Sequence, residues 1–217
     1  IHPKITCKTV LNGVNTKSFV RLNGAERMTI RKQFGIPEDA IVVGTTAVFR
    51  FQKRLDKWME IMQTAIDKNP NIYGIVIGAG VLEEEIKAKH KELNLESKVF
   101  FAGLQSQVKP YYEAMDIFMM CSSFEGLPIA LLEAMSMNCA IVSTNAGGIK
   151  EVLRHEIDGL MVDVDDWEKL SISILELAEN PAKMFHLQSK ARSRVEASFS
   201  IGVMVKELET LYLTHKI

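Results

Sequence analysis

The chain has 217 residues and a mass of 24.4 kDa, room for one large or two small domains, and its 47% hydrophobic content sets disorder aside. A formal charge of −1 gives no global field for nucleic acid or an anionic membrane, and there is neither a signal-peptide pattern nor an apolar run of transmembrane length. Cys7, Cys121 and Cys139 are far apart and odd in number, and read as reduced core thiols of a cytosolic protein, against a disulfide framework or a zinc site.

Residues 1–22 are polar, turn-rich and weakly periodic, and the chain starts at Ile1 with no initiator Met, so this stretch reads as a linker leaving a preceding unit. A first helix is expected near 24–34. From residue 41 onward, β-branched or apolar runs alternate with helical patterns, which predicts repeated βα units and a parallel sheet. Strands are expected near 41–48, 72–77, 98–101, 116–120, 140–143 and 159–163, and helices near 55–68, 81–93, 107–114, 127–137, 148–154 and 166–179. Pro181 after Asn180 separates the last of these from helices near 181–197 and 200–215. The fold class is therefore α/β, a doubly wound, Rossmann-like parallel sheet of about six strands with a C-terminal helical tail. The basic stretch with Lys183, Lys190, Arg192 and Arg194 reads as a solvated helix face, and Asp116, before the fourth strand, as a turn or sheet-end residue.

Doubly wound sheets bind ligands at the carboxyl ends of their strands, and the informative loops fall on that edge. After the first strand come Arg50, Lys53 and Arg54; after the second, Gly78-Ala79-Gly80; after the fourth, Ser122 to Pro128; after the fifth, Asn145-Ala146-Gly147-Gly148. Glycines permit close backbone approach, helix N-termini offer unpaired N–H groups, and Arg with Lys supplies mobile positive charge. Together these are parts for gripping a diphosphate.

Between Gly126 and Ile149 the chain runs 24 residues with one charged side chain, Glu133, where the average composition would place about six. A carboxylate in an apolar helix is costly to bury unless something hydrogen-bonds to it. Glu125 lies eight positions earlier, before the same helix, so two carboxylates bracket a helix N-terminus, on the order of 10 Å apart at 1.5 Å per residue. Taken alone, Glu125 would read as a helix cap and Glu133 as a side chain reaching solvent at a helix edge. As a pair they suit a nucleotide diphosphate sugar, whose hydroxyl-bearing rings flank a diphosphate.

A dinucleotide-dependent dehydrogenase fits badly. Gly78-Ala79-Gly80-Val81-Leu82-Glu83 lacks the third glycine and follows the second strand, and no acidic residue ends the next strand to hold a ribose. A P-loop run is absent. His2, His90, His155, His186 and His215 match no metal spacing and read as surface or core residues.

The run S-S-F-E-G-L-P-I-A-L-L-E-A-M, followed by S-T-N-A-G-G-I-K-E-V and D-G-L-M-V, resembles the C-terminal half of retaining GT-B glycosyltransferases of family 4. The likeness covers nearly the whole chain, with L-N-G-V-N at 11–15 similar to the interdomain linker and the final S-F-S-I-G-V-M-V-K-E-L-E-T-L-Y to the tail helix. It implies a linker over 1–22, a nucleotide-sugar-binding domain over 23–199 and a tail helix over 200–217, with the N-terminal acceptor domain absent. It further implies that Glu125 holds donor-sugar hydroxyls, Glu133 the ribose, and Arg50 with Lys53 the departing diphosphate, with Gly126 and Leu127 amides at sugar or phosphate and Gly103 and Leu104 near the base. Gly78, Gly80, Gly147 and Gly148 would complete the donor site.

The implied donor is a nucleotide sugar such as a UDP or GDP conjugate, with neither cofactor nor metal. The implied partners are the N-terminal domain of the same chain and a glycan or lipid-linked sugar acceptor, and not nucleic acid. The implied setting is polysaccharide or glycoconjugate synthesis in the cytoplasm, any contact with the inner membrane face coming through the missing half. Only Phe51 and Gln52 separate Arg50 from Lys53, fewer than the family usually has, so Lys53, Arg54 and Lys57 all stay open as the second phosphate ligand. The domain alone is expected to bind weakly and transfer negligibly. The rival reading is a non-catalytic nucleotide-sugar-binding or assembly module; an epimerase or phosphorylase of similar architecture fits less well.

Overall fold

The computed structural model describes residues 7–22 and 24–214; His2, His215 and the outer ends of the linker and tail lie outside them. Six apolar runs form six strands, β1 Ile41–Thr46, β2 Ile72–Ile77, β3 Val99–Gly103, β4 Ile117–Met120, β5 Ala140–Thr144 and β6 Leu160–Val162, all paired in parallel. Their order is β3-β2-β1-β4-β5-β6. The runs are continuous because helices cover both faces of the sheet and leave no strand face in water. On one side α2 (Leu55–Lys68), α3 (Glu83–Glu92) and α7 (Leu170–Glu179) bury Trp58, Met59, Met62 and Ile174 against Val43, Val76 and Val142. On the other, α1 (Ala25–Gln33), α4 (Lys109–Ala114), α5 (Ile129–Ser136) and α8 (Pro181–Ser198) enclose Val42, Ile75, Phe118 and Ile141.

Most boundaries match the periodicity, and the departures have local causes. The helix expected over 127–137 is shorter because Pro128 is extended (φ −75°, ψ 121°) and caps α5 from outside. The one expected over 148–154 is only α6, Ile149–Val152, since Leu153 already has strand-like angles. The one expected over 166–179 starts as a 3-10 segment, Val164–Lys169, in which Asp166 leaves helical geometry before α7 begins.

Asp116 does sheet-end work. Its carboxylate accepts from the Val42 amide (2.8 Å) and pairs with Arg27 (2.8 Å) and the buried Arg31 (2.7 Å), which ties α1 to the amino edge of β1 and β4. The basic stretch of α8 differs from expectation. Arg192 donates to the Thr16 and Phe19 carbonyls and Arg194 to Glu151 and Val152, so both guanidinium groups satisfy chain ends of neighbouring segments. Lys190 is solvated as expected, and the reading departs only at Arg192 and Arg194, whose long stems carry their heads to carbonyls of neighbouring segments.

Arg192 thereby fastens the segment before α1, and a bridge between Val14 and Ser200 sets that segment beside the start of α9, Ile201–Thr214. Cys121 and Cys139 are buried, and burial pushes their thiols up to about 12 and about 11. Cys7, expected in the core, is exposed, as befits its polar neighbourhood. No helix of the described residues is long and apolar enough to cross a membrane.

Candidate functional site

Strand order reverses between β1 and β4: the chain moves outward from β1 to β2 and β3, then returns to lay β4 on the other side of β1. The connections leaving those two strands run to opposite faces of the sheet, β1 into α2 and β4 into α5, which leaves a crevice for a ligand. A cleft of about 310 Å³ occupies that place, walled by Thr46 at the end of β1 and Lys53 after it, Gly78 after β2, Leu104 after β3, and Glu125 with Ile129 before and on α5.

Lys53 and Glu125 meet in it. The Lys53 ammonium lies 2.6 Å from Glu125 Oε1, and the same oxygen accepts from the buried Ser122 hydroxyl at 2.6 Å. Ser122 is fixed in turn because its carbonyl accepts from the buried Thr144 hydroxyl at 2.7 Å. Glu125 is only 9% exposed yet doubly satisfied on one oxygen, and among the described residues Oε2 receives no such bond.

The glycines of the β5 loop act on the backbone of that carboxylate. A Cβ on Gly147 (φ +55°) would stand 2.1 Å from the Glu125 carbonyl oxygen, and one on Gly148 would stand 2.1 Å from that of Gly126. The Gly148 amide donates to the Glu125 carbonyl at 3.0 Å. These two glycines set the Glu125 loop from behind. Gly126 is exposed, with open space around a would-be Cβ. The Leu127 carbonyl accepts from Asn12 of the segment before α1.

Glu133 follows one turn after Ile129 and Ala130 on the same face of α5; those two wall the cleft, and Glu133 itself lies beyond its wall. Burial raises its carboxyl above the usual carboxylate range, and the Tyr112 hydroxyl, donating to Oε2 at 2.9 Å, partly offsets that. Gly103 (φ +69°) turns the chain so that Leu104, 83% exposed, overhangs the cleft, while Gly80 packs against the Phe49 backbone.

Arg50 is not gathered with Lys53. It lines a separate cleft of about 370 Å³ with Phe51, Leu82 and Glu85. Arg54, in a left-handed conformation (φ +46°), donates to the carbonyls of Cys121 and Val164, and Lys57 pairs with Glu60 at 3.1 Å and sits over the Trp167 ring. Of the three lysine and arginine candidates after Arg50, Lys53 alone reaches the cleft that holds Glu125. Sequence reasoning missed Tyr112 and Thr144; Ser122 stood in the noted loop, and its spacing of three from Glu125 was the available signal.

A family model described as "Glycosyl transferases group 1" matches residues 26–194. The chain belongs to that family. This group 1 domain also has the fold of known ones. Anabaena HepE, solved in complex with UDP and with UDP-glucose, superposes with a TM-score of 0.85 in the UDP complex at 20% identity, over 95% of this chain and 57% of HepE. The C-terminal domain of LpcC, a group 1 family protein from Francisella tularensis, superposes with a TM-score of 0.77 at 23% identity, over 87% of this chain and all of that one. By sequence, the UDP-Gal:alpha-D-GlcNAc-diphosphoundecaprenol alpha-1,3-galactosyltransferase of Escherichia coli is 23% identical over 207 residues, 93% of this chain and 52% of its own length. The chain spans about half the length of several curated relatives it matches. It has the architecture of a GT-B C-terminal domain.

Proposed function

We propose that this domain holds the donor of a retaining, family 4 type glycosyltransferase, which moves a sugar from a nucleotide sugar to an acceptor hydroxyl in polysaccharide or glycoconjugate synthesis. The observation that carries the reading is the Lys53–Glu125 pair at 2.6 Å, set in a cleft at the reversal of strand order. Lys53 is available to a diphosphate because among the described residues its ammonium has a single partner, which the incoming ligand can replace. An ammonium about 4 Å from a phosphate charge is worth about 4 kcal/mol at an effective dielectric of 20. That attraction grows as the leaving diphosphate gains charge, so it lowers the barrier more than it tightens the ground state. In this reading no metal is required at the leaving group.

When Lys53 turns to the phosphate, Ser122 keeps Glu125 in place, and the carboxylate accepts from donor-sugar hydroxyls. Glu133 takes the ribose, Leu104 covers the base, and the amides of Gly126 and Leu127 at the start of α5 meet sugar or phosphate. Arg50 reaches the diphosphate only by swinging out of its own cleft. The acceptor, a glycan or a lipid-linked sugar, enters from an N-terminal domain. The test is sugar transfer by a two-domain protein containing this chain, with the anomeric configuration of the product read by NMR. Retention, with transfer lost in both Lys53→Ala and Glu125→Gln, is the expected result. An inverted product, or transfer indifferent to both substitutions, would overturn the proposal.

A further inference from the structure

Glu133 has no cation beside it among the described residues; what acts on its carboxyl is burial and the Tyr112 hydroxyl. Tyr112 belongs to α4, 21 positions earlier, and it is fully buried. Its ring is held between Phe19, edge-on at 6.3 Å, and Phe118, tilted at 5.8 Å. Its carbonyl accepts from Arg21 at 3.2 Å. The phenol can therefore neither rotate away nor reach water. Its single proton has the Glu133 Oε2 oxygen at 2.9 Å and the Ala130 carbonyl farther off at 3.4 Å, so it goes to the carboxylate. Burial pushes the phenol well above its ordinary range, which keeps it a donor at every working pH. Thr46, one of the residues that wall the cleft, is a near neighbour of the same hydroxyl, so this contact lies behind the cleft wall.

We propose that Tyr112 is a positioning residue for ribose recognition: by holding Oε2 of Glu133 it aims Oε1 at the two ribose hydroxyls of a nucleoside diphosphate. The inference rests on the assignment of Glu133 to the ribose. A glutamate at a helix edge otherwise samples several rotamers and loses freedom when a ligand arrives. One hydrogen bond from a rigid, buried donor removes that freedom in advance. It also favours the ionised carboxylate, which is the form that accepts from both hydroxyls.

The experiment compares UDP with 2′,3′-dideoxy-UDP, by calorimetric titration, on the wild-type chain, Tyr112→Phe and Glu133→Gln. Phenylalanine keeps the ring and its packing, and the melting temperature checks that the fold is retained. Wild type is expected to prefer UDP by on the order of tenfold or more, and Glu133→Gln to erase that preference. Tyr112→Phe is expected to reduce it to about threefold or less, with the affinity for the dideoxy compound unchanged. Equal weakening toward both compounds, or an unchanged preference, would overturn the role of Tyr112. A wild type that does not distinguish the two compounds would overturn the ribose assignment itself, and this proposal with it.

A ligand-free readout stands beside the titration. The Glu133 carboxyl, followed by 13C NMR across pH, should titrate at higher pH in Tyr112→Phe than in wild type, because the bond to the charged form is gone. An unmoved midpoint would refute the coupling even if neither compound bound.

Discussion

Replacing Gly147 by alanine probes how firmly the loop carrying Glu125 is set from behind. The new Cβ would stand 2.1 Å from the Glu125 carbonyl oxygen, about 1.3 Å short of the 3.4 Å at which ordinary contact begins, and that oxygen is backbone. The loop has to retreat. At φ +55° an alanine also costs about 1–2 kcal/mol in left-handed strain, and displacing the oxygen strips the Gly148 amide of its 3.0 Å bond, about 1 kcal/mol more. The total of about 2–3 kcal/mol corresponds to a fall in melting temperature of roughly 5–10 °C for a domain of this size. Displacing a binding carboxylate by about an ångström is also expected to cost on the order of a hundredfold in transfer by the two-domain protein. Gly126→Ala is the control, because its Cβ meets nothing within 4 Å: stability should hold while nucleotide binding falls, since the side chain enters space left for the ligand. Differential scanning calorimetry and nucleotide titration of both variants make the comparison. A Gly147→Ala protein that melts within 1 °C of wild type and binds as well would refute the idea that these glycines set the Glu125 loop.

Asp116→Ala should be the most damaging of the charge substitutions, because it leaves Arg31 buried with a charge that has lost its carboxylate partner; a loss of about 3–5 kcal/mol in urea unfolding is expected. Lys53→Gln takes one of two partners from a Glu125 carboxylate that is only 9% exposed, so a loss of about 1–3 kcal/mol in urea unfolding is expected, while UDP affinity measured by titration falls at least tenfold. Glu133→Gln should raise the melting temperature at neutral pH. Because burial raises the Glu133 carboxyl above its unfolded value, the folded state holds the proton more tightly, and the stability this lends is lost as pH rises through the raised value. The amide escapes that loss, so the wild-type and variant curves should converge below the ordinary carboxylate range; curves that stay parallel across pH would contradict the assignment.

The strands were legible because a sheet covered on both faces needs unbroken apolar runs, and β1, β2, β4 and β5 show them without a competing pattern. The place of the cleft followed from strand order, which the alternation of βα units implies only in outline. Glu125 and Glu133 stood out because a charge in an apolar segment has a price. What a linear reading could not give is pairing between distant elements. On paper Arg54 is as good a phosphate ligand as Lys53 and Arg192 a solvated charge, yet Arg54 closes on the Cys121 and Val164 carbonyls and Arg192 on Thr16 and Phe19. Tyr112 sits in an ordinary aromatic pair, Tyr111-Tyr112, and only the packing of α4 beside α5 brings its hydroxyl to Glu133. The 3-10 start of α7 was likewise hidden, since Asp165 and Asp166 are as common in a first helical turn as in a kink.

The central claim, that the domain with its cleft between the β1 and β4 ends holds a nucleotide through Glu133, is tested most directly by calorimetric titration of a two-domain protein containing this chain with UDP, GDP and ADP, with Glu133→Ala alongside. Selective binding of one nucleotide, abolished by Glu133→Ala, is the expected result. Binding of none of the three, or binding that Glu133→Ala leaves intact, would contradict the account.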